Sequence, residues 1–158
     1  MRRYLHRIYW IARRLTGTHR EADVIAQETF VKAYLALGDF RSDASFLTWL
    51  YRITVSLSLN VIRKQQLVAY VQQSDILRRF LPAGDRADWE LEFRETESRL
   101  EAALGALPEK QRAVFVMRFF EELSYEEISQ VLKTSIGGLK TNYFHALQRV
   151  QEVVKNEV

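Results

Sequence analysis

Apolar residues recur at helical spacing along most of this chain. Leu5, Ile8, Tyr9, Ala12 and Leu15 share one side of a helix over 4–15, with arginines between them and Gly17 as its stop. Thr18-His19-Arg20-Glu21 then reads as a capping box, hydroxyl first and carboxylate three residues on. It opens a helix over 21–37 that Gly38 ends. Phe40-Arg41-Ser42-Asp43-Ala44 forms a polar loop before a long helix starting near Ser45. Phe46, Trp49, Leu50, Ile53, Leu57 and Val61 make that helix's core face.

The pattern breaks over 65–90, where polarity is mixed and Leu81-Pro82-Ala83-Gly84-Asp85 interrupts any helix. A short helix is expected at 75–80. Helical spacing resumes from Trp89, and Pro108 in a first turn opens a helix reaching Phe120. The expected fold is all-α, with two small helical domains at 1–66 and 96–158 joined by a flexible linker at 67–95.

Near the C-terminus, Ser124-Tyr125-Glu126-Glu127 is a second capping box, followed by Ile128, Val131 and Leu132 on one side of a short helix. Lys133-Thr134-Ser135 is a turn, with Ser135 placed to cap the next helix. There Ile136, Leu139, Tyr143, Leu147 and Val150 line one side, and Lys140, Thr141, Phe144, His145 and Gln148 the other. Helix, three-residue turn and helix with a polar outer face match a helix-turn-helix, whose second helix fits the DNA major groove. Gly137 and Gly138 would let the backbone approach a phosphate. A surface helix of an ordinary bundle is the plainer alternative.

Composition narrows the class. With 6 Gly and 2 Pro in 158 residues, the composition favours long uninterrupted helices over a turn-rich all-β design. Without Cys there are no disulfides, Cys-type zinc sites or thiol catalysis. No apolar run approaches the roughly 18 residues that span a bilayer, and Arg7, Arg13 and Arg14 interrupt any leader core. A cytoplasmic protein without membrane insertion is expected. Residues 1–66 hold 11 Lys and Arg against 5 Asp and Glu, whereas 67–101 hold 5 against 8. A basic front half suits contact with phosphates, although solvated basic faces are common.

Longer motifs carry a resemblance. Ala22-Asp23-Val24-Ile25-Ala26-Gln27-Glu28-Thr29-Phe30 and Phe40 through Ile53 in the front half precede Leu107-Pro108-Glu109-Lys110-Gln111-Arg112-Ala113-Val114-Phe115 and Ser124 through Ser129. Together they resemble an extracytoplasmic-function (group 4) sigma factor of the sigma-70 family, with only the second and fourth conserved regions.

The resemblance implies that Asp23, Val24, Gln27, Glu28 and Val31 dock on the clamp of the largest subunit of RNA polymerase core. It implies that Phe40, Arg41, Ser42, Asp43, Arg52, Ser56, Asn60 and Arg63 read and open the minus-ten promoter element, with Thr48 on the same stripe. It implies that Ser135, Gly137, Lys140, Thr141, Phe144, His145 and Gln148 read the minus-thirty-five element as duplex. Phe46 and Trp49 are assigned to core packing instead. Promoter DNA, polymerase core and an anti-sigma factor are the implied partners, with no small-molecule substrate, cofactor or metal and no catalytic residue.

Three departures from the family stand out. Val24 replaces a usual acid, Ser56 a usual Asn and Asn60 a usual Asp. Members usually carry a further helix ahead of 4–15, so either the chain starts late or its first domain is small.

Other classes fit less well. A LuxR-type regulator would share the C-terminal part but needs a sheet-containing N-terminal domain. A nucleic-acid enzyme would need a zinc motif or phosphate loop, and His6, His19 and His145 are scattered. The pairs Glu121-Glu122 and Glu126-Glu127 read as solvated or capping acids. A sigma-like protein reduced to an interaction module is the remaining alternative.

Overall fold

The computed structural model describes residues 2–73 and 94–156. In chain order the helices are α1 (Arg2–Thr16), α2 (His19–Leu35), α3 (Phe46–Gln73), α4 (Arg94–Ala106), α5 (Glu109–Phe115), α6 (Tyr125–Leu132) and α7 (Ile136–Asn156). A 3₁₀ turn (Leu37–Asp39) follows α2, and a π-helical turn (Val116–Phe120) prolongs α5.

Local chemistry sets most of these boundaries. Gly17 stops α1 at φ +83, a conformation that side chains with a Cβ avoid. The Thr18 hydroxyl accepts the Glu21 N–H at 3.2 Å, which is the hydroxyl half of the expected box. Ser45 begins α3 by accepting the Thr48 N–H at 3.1 Å. Ser124 and Glu127 complete a reciprocal capping box at the start of α6.

Two expected ends move. Instead of stopping at Gly38, α2 stops at Leu35, because Ala36 caps it and the chain tightens into the 3₁₀ turn. Gly38 therefore lies inside a turn with no positive φ. Helix α3 continues to Gln73, since 66–73 contain neither Gly nor Pro to end it, so the first seven residues of the expected linker are helical. The short helix expected at 75–80 lies outside the described residues.

In the front half, α1, α2 and α3 pack around Ile8, Ile11, Ala12 and Leu15, all fully buried. Each of the Ile and Leu side chains among them contributes on the order of 1.5–3 kcal/mol. The core stripe read from sequence on α3 is only part of what α3 buries. Of that stripe Leu50 is buried and Phe46, Trp49, Ile53, Leu57 and Val61 are half-buried, whereas Tyr51, Val55, Leu59 and Ile62, outside it, are buried as well. This second face meets the C-terminal half. Leu104, Leu107, Phe115, Met117 and Ile128 join Ile11, Leu15, Tyr51 and Val55 in one continuous core.

Polar groups cross the same boundary. The Arg112 guanidinium is buried and donates to the carbonyl oxygens of Leu15, Gly105 and Leu107 at 2.8, 3.0 and 3.1 Å. Leu15 lies in the last turn of α1, where carbonyls lack helical partners. Tyr51 donates to Glu121 Oε2 at 2.7 Å. The π turn, closed by Glu122 at φ 55, delivers Glu121 to that position. Glu121 is thus neither solvated nor a cap, as its sequence context suggested. Its side chain is 8% exposed. The expectation failed because its partner lies 70 residues away.

Removing the α6 cap with Ser124→Ala should cost about 1 kcal/mol of stability in urea denaturation. Burial first, then Glu121, raises the Tyr51 pKa well above its ordinary value. The folded chain therefore holds this proton more tightly than the unfolded chain. That contribution is complete below about pH 10 and declines as the pH rises further. Wild type should consequently lose more stability than Tyr51→Phe between about pH 9 and pH 11 in parallel denaturation curves.

Candidate functional site

Three exposed surfaces collect the residues singled out from sequence. The first is the outer face of α2. Its inner face is made of small or slim residues, with Ala22, Ile25, Ala26, Thr29 and Ala33 buried against α1 and α3. Larger apolar residues therefore point outward. Val24 is 48% exposed, Val31 58%, Tyr34 71% and Leu35 77%. Asp23, Gln27 and Glu28 are exposed beside them. One buried face and one apolar exposed face fit a helix that also serves a partner. Leu37, the last residue of the helix expected over 21–37, is 52% exposed because it lies beyond α2, in the 3₁₀ turn. Tyr34 went unremarked in the sequence, although its spacing from Val31 was a signal.

The second surface is the loop before α3 and the outer stripe of α3. The Phe40 ring packs against Phe46 at 5.6 Å and Trp49 at 5.1 Å between centroids. Tyr4 closes on Phe46 at 5.7 Å. This aromatic cluster anchors the loop from beneath, so Phe40 is a half-buried support, while Arg41, Ser42 and Asp43 are exposed. Phe46 and Trp49 pack against the core as expected.

Arg52, Ser56 and Asn60 form an exposed stripe at successive turns. Two residues of the expected stripe are engaged elsewhere. Thr48 is buried and bonded to the Ser45 hydroxyl at 2.8 Å, because it completes the start of α3. Arg63 Nε pairs with Glu109 Oε1 at 3.1 Å. Arg41, Asp43, Trp49, Arg52 and, from the C-terminal half, Lys133 line a cavity of about 370 Å³. That size lies within the range of pockets that hold small ligands.

The third surface is the outer face of α7. Lys133 at φ 55 ends α6 and turns the chain through Thr134 and Ser135. The Ser135 hydroxyl accepts the Gly138 N–H at 3.2 Å, and Thr141 donates to the Gly137 carbonyl at 3.1 Å. The two glycines differ. A Cβ at Gly138 would lie 3.2 Å from Ser135 Oγ and 3.3 Å from Thr134, so tight packing within the turn explains that glycine. Around Gly137 there is open space, and the residue is exposed.

Leu139, Ala146 and Val150 are buried on the inner side of α7. Ser135, Lys140, Thr141, Phe144, His145 and Gln148 all face solvent on the outer side. Lys140 Nζ also lies 5.7 Å from the centre of the Tyr125 ring. Among the described residues, no His and acidic side chains group as metal ligands, and no helix is long and apolar enough to cross a membrane.

Comparison with known proteins places the chain in a family. Residues 1–68 match Sigma-70 region 2, and residues 97–150 match Sigma-70, region 4. The RNA polymerase sigma-H factor of Pseudomonas aeruginosa is 33% identical over 165 residues, covering 97% of this chain and 83% of that protein. The ECF RNA polymerase sigma-E factor of Salmonella typhimurium is 30% identical over 166 residues, with 99% and 83% covered. ECF RNA polymerase sigma factor SigW of Bacillus subtilis is 28% identical over 160 residues, with 97% and 86% covered. Among solved structures, the sigma factor RpoE of Bartonella quintana, crystallised with the anti-sigma factor NepR, superposes with a TM-score of 0.73 at 24% identity. That match covers 96% of this chain and 92% of the other. CnrH, solved with the cytosolic domain of CnrY, gives a TM-score of 0.69 at 24% identity, with 96% and 82% covered.

Proposed function

The chain belongs to the extracytoplasmic-function group of the sigma-70 family, and we propose that its three exposed surfaces serve polymerase core, the minus-ten element and the minus-thirty-five element in turn. It is a sigma factor and not an enzyme. The division of work among residues is our reading.

The outer face of α2 carries this reading. Val24, Val31 and Leu35 expose apolar surface around the polar pair Gln27 and Glu28, as a helix docking on a protein surface needs. We assign that face to the clamp of the largest polymerase subunit. Val24, where relatives usually carry an acid, exchanges one ionic contact for apolar area.

At the minus-ten element, unstacking a base costs a few kcal/mol, which a pocket with an aromatic wall and nearby cations offsets. The cavity beside Trp49, Arg41 and Arg52 supplies both. Arg52, Ser56 and Asn60 read the strand along α3, with Ser56 and Asn60 giving a base preference different from the family's common one. At the minus-thirty-five element, α7 enters the major groove. Lys140 and the open backbone at Gly137 meet phosphates, while Thr141, Phe144, His145 and Gln148 reach base edges.

Contact with polymerase and promoter DNA supports a cytoplasmic location beside the chromosome. An anti-sigma factor is the regulator we propose, as in the RpoE complex of similar fold.

Replacing Gln27 and Glu28 together by Ala should weaken binding to core polymerase about tenfold or more with helical content unchanged, measured by fluorescence titration and circular dichroism. A parallel loss of helix would make the pair structural and reject the docking role. Lys140→Ala should lower affinity for a minus-thirty-five duplex and reduce the slope of log affinity against log salt by about 0.9. An unchanged slope would rule out its phosphate contact.

A further inference from the structure

The two cations of α7 sit on opposite edges of its outer face. From Ile136 to Gln151 the helix carries no Asp or Glu, and Lys140 and Arg149 are its Lys and Arg. At about 100° per residue, each lies about 90° from the middle of the strip formed by Thr141, Phe144, His145 and Gln148, one to either side. All six residues are exposed. The strip is therefore uncharged along its centre and cationic along both edges. Glu152, one turn past Gln148, ends it, because an acid there would repel phosphate.

A helix seated in the major groove has base edges beneath it and a row of phosphates to each side. Cations on both edges of the helix meet one row each. The commonest reader of guanine is an Arg or Lys aimed at its O6 and N7. No such residue stands on the centre of this strip, and Lys140 Nζ leans toward the Tyr125 ring, 5.7 Å from its centre.

What the centre offers instead matches A·T pairs. Phe144 is 56% exposed, and its ring lies edge-on to His145 at 5.8 Å. Thr141 gives its hydroxyl proton to the Gly137 carbonyl at 3.1 Å, which leaves an accepting oxygen and a methyl group. The apolar group that the major groove presents is the thymine methyl, and a Phe ring or a Thr methyl is its partner. The Gln148 amide both donates and accepts, as adenine N7 and N6 require. His145, with one donor and one acceptor in its neutral form, fits more than one pair. From Thr141 to Gln148 the helix rises about 10 Å, the length of about three base pairs.

We propose that this chain reads, by direct contact, a minus-thirty-five core of about three successive A·T pairs. Phe144 and Thr141 meet thymine methyls, Gln148 meets adenine, and Lys140 and Arg149 hold the phosphates on either side. This rests on the assignment of α7 to duplex DNA and states which sequence that face selects.

The full chain, alone and bound to core polymerase, is offered duplexes randomised over one helical turn, about 10 base pairs, and the retained sequences are determined. An A·T core should be enriched, and one G·C pair placed within it should weaken binding about tenfold. Uracil in place of thymine deletes only the methyl. At the position Phe144 meets, it should weaken wild type about fourfold and leave Phe144→Ala unaffected. Gln148→Ala should accept any base at one adenine position. Arg149→Ala should retain the same sequences while reducing the slope of log affinity against log salt by about 0.9. Circular dichroism checks that each variant is folded, and the uracil series on wild type needs no variant. A guanine-centred core, no response of wild type to uracil anywhere in the core, or altered sequence preference in folded Arg149→Ala would overturn the proposal. Binding without base preference would overturn it too, while leaving the duplex contact standing. Absence of binding to every duplex, alone and with core polymerase, would reject the assignment of α7 to DNA itself.

Discussion

Burial of α3 from two sides is the constraint around which the rest of the chain is arranged. One side receives α1 and α2, the other receives α5 and α6. A helix so enclosed must satisfy its polar side chains internally. Thr54 donates to the Leu50 carbonyl at 2.9 Å and Ser58 to the Thr54 carbonyl at 2.8 Å, while Thr29 of α2 meets Thr54 at 3.3 Å. These contacts let α2 lie close to α3 on a face of alanines and a threonine. The bulk of α2 is consequently turned outward. The apolar surface available to a partner is therefore a direct result of how closely two helices pack.

The C-terminal half follows the same logic. Leu139, Ala146 and Val150 fix α7 on one side, and the capped helix α6 fixes the angle at which α7 leaves the turn. What remains exposed is polar, aromatic and weakly cationic. On the proposed reading, specificity at such a face would rest on the few side chains that reach base edges, with modest attraction to phosphate.

Much of this was legible in the sequence because it is local. Capping residues, the Gly17 stop, the turn at Lys133–Ser135 and the polar face of α7 depend on neighbours within a few positions. The two faces of α2 also follow from spacing alone. Less legible was whatever depends on distant pairing. Tyr51 meets a carboxylate 70 residues on, and Arg112 bonds a carbonyl 97 residues back. Periodicity shows that a helix has an apolar stripe, not that a second stripe will be covered by another domain. Thr48 was misplaced for a different reason: its position on the helix suggested exposure, but the first turn folds it against Ser45. Gly38 looked like a helix stop, whereas Ala36 already ends α2 through bonds to Lys32 and Tyr34.

These features describe a protein whose folding leaves three separate surfaces uncovered and whose chemistry is recognition, not turnover. The most direct test is run-off transcription with purified core polymerase, this chain and a pool of genomic fragments from its own bacterium. The account predicts discrete transcripts that require the chain and start a fixed distance downstream of shared minus-ten and minus-thirty-five sequences. Transcripts indistinguishable from those of core polymerase alone would contradict it.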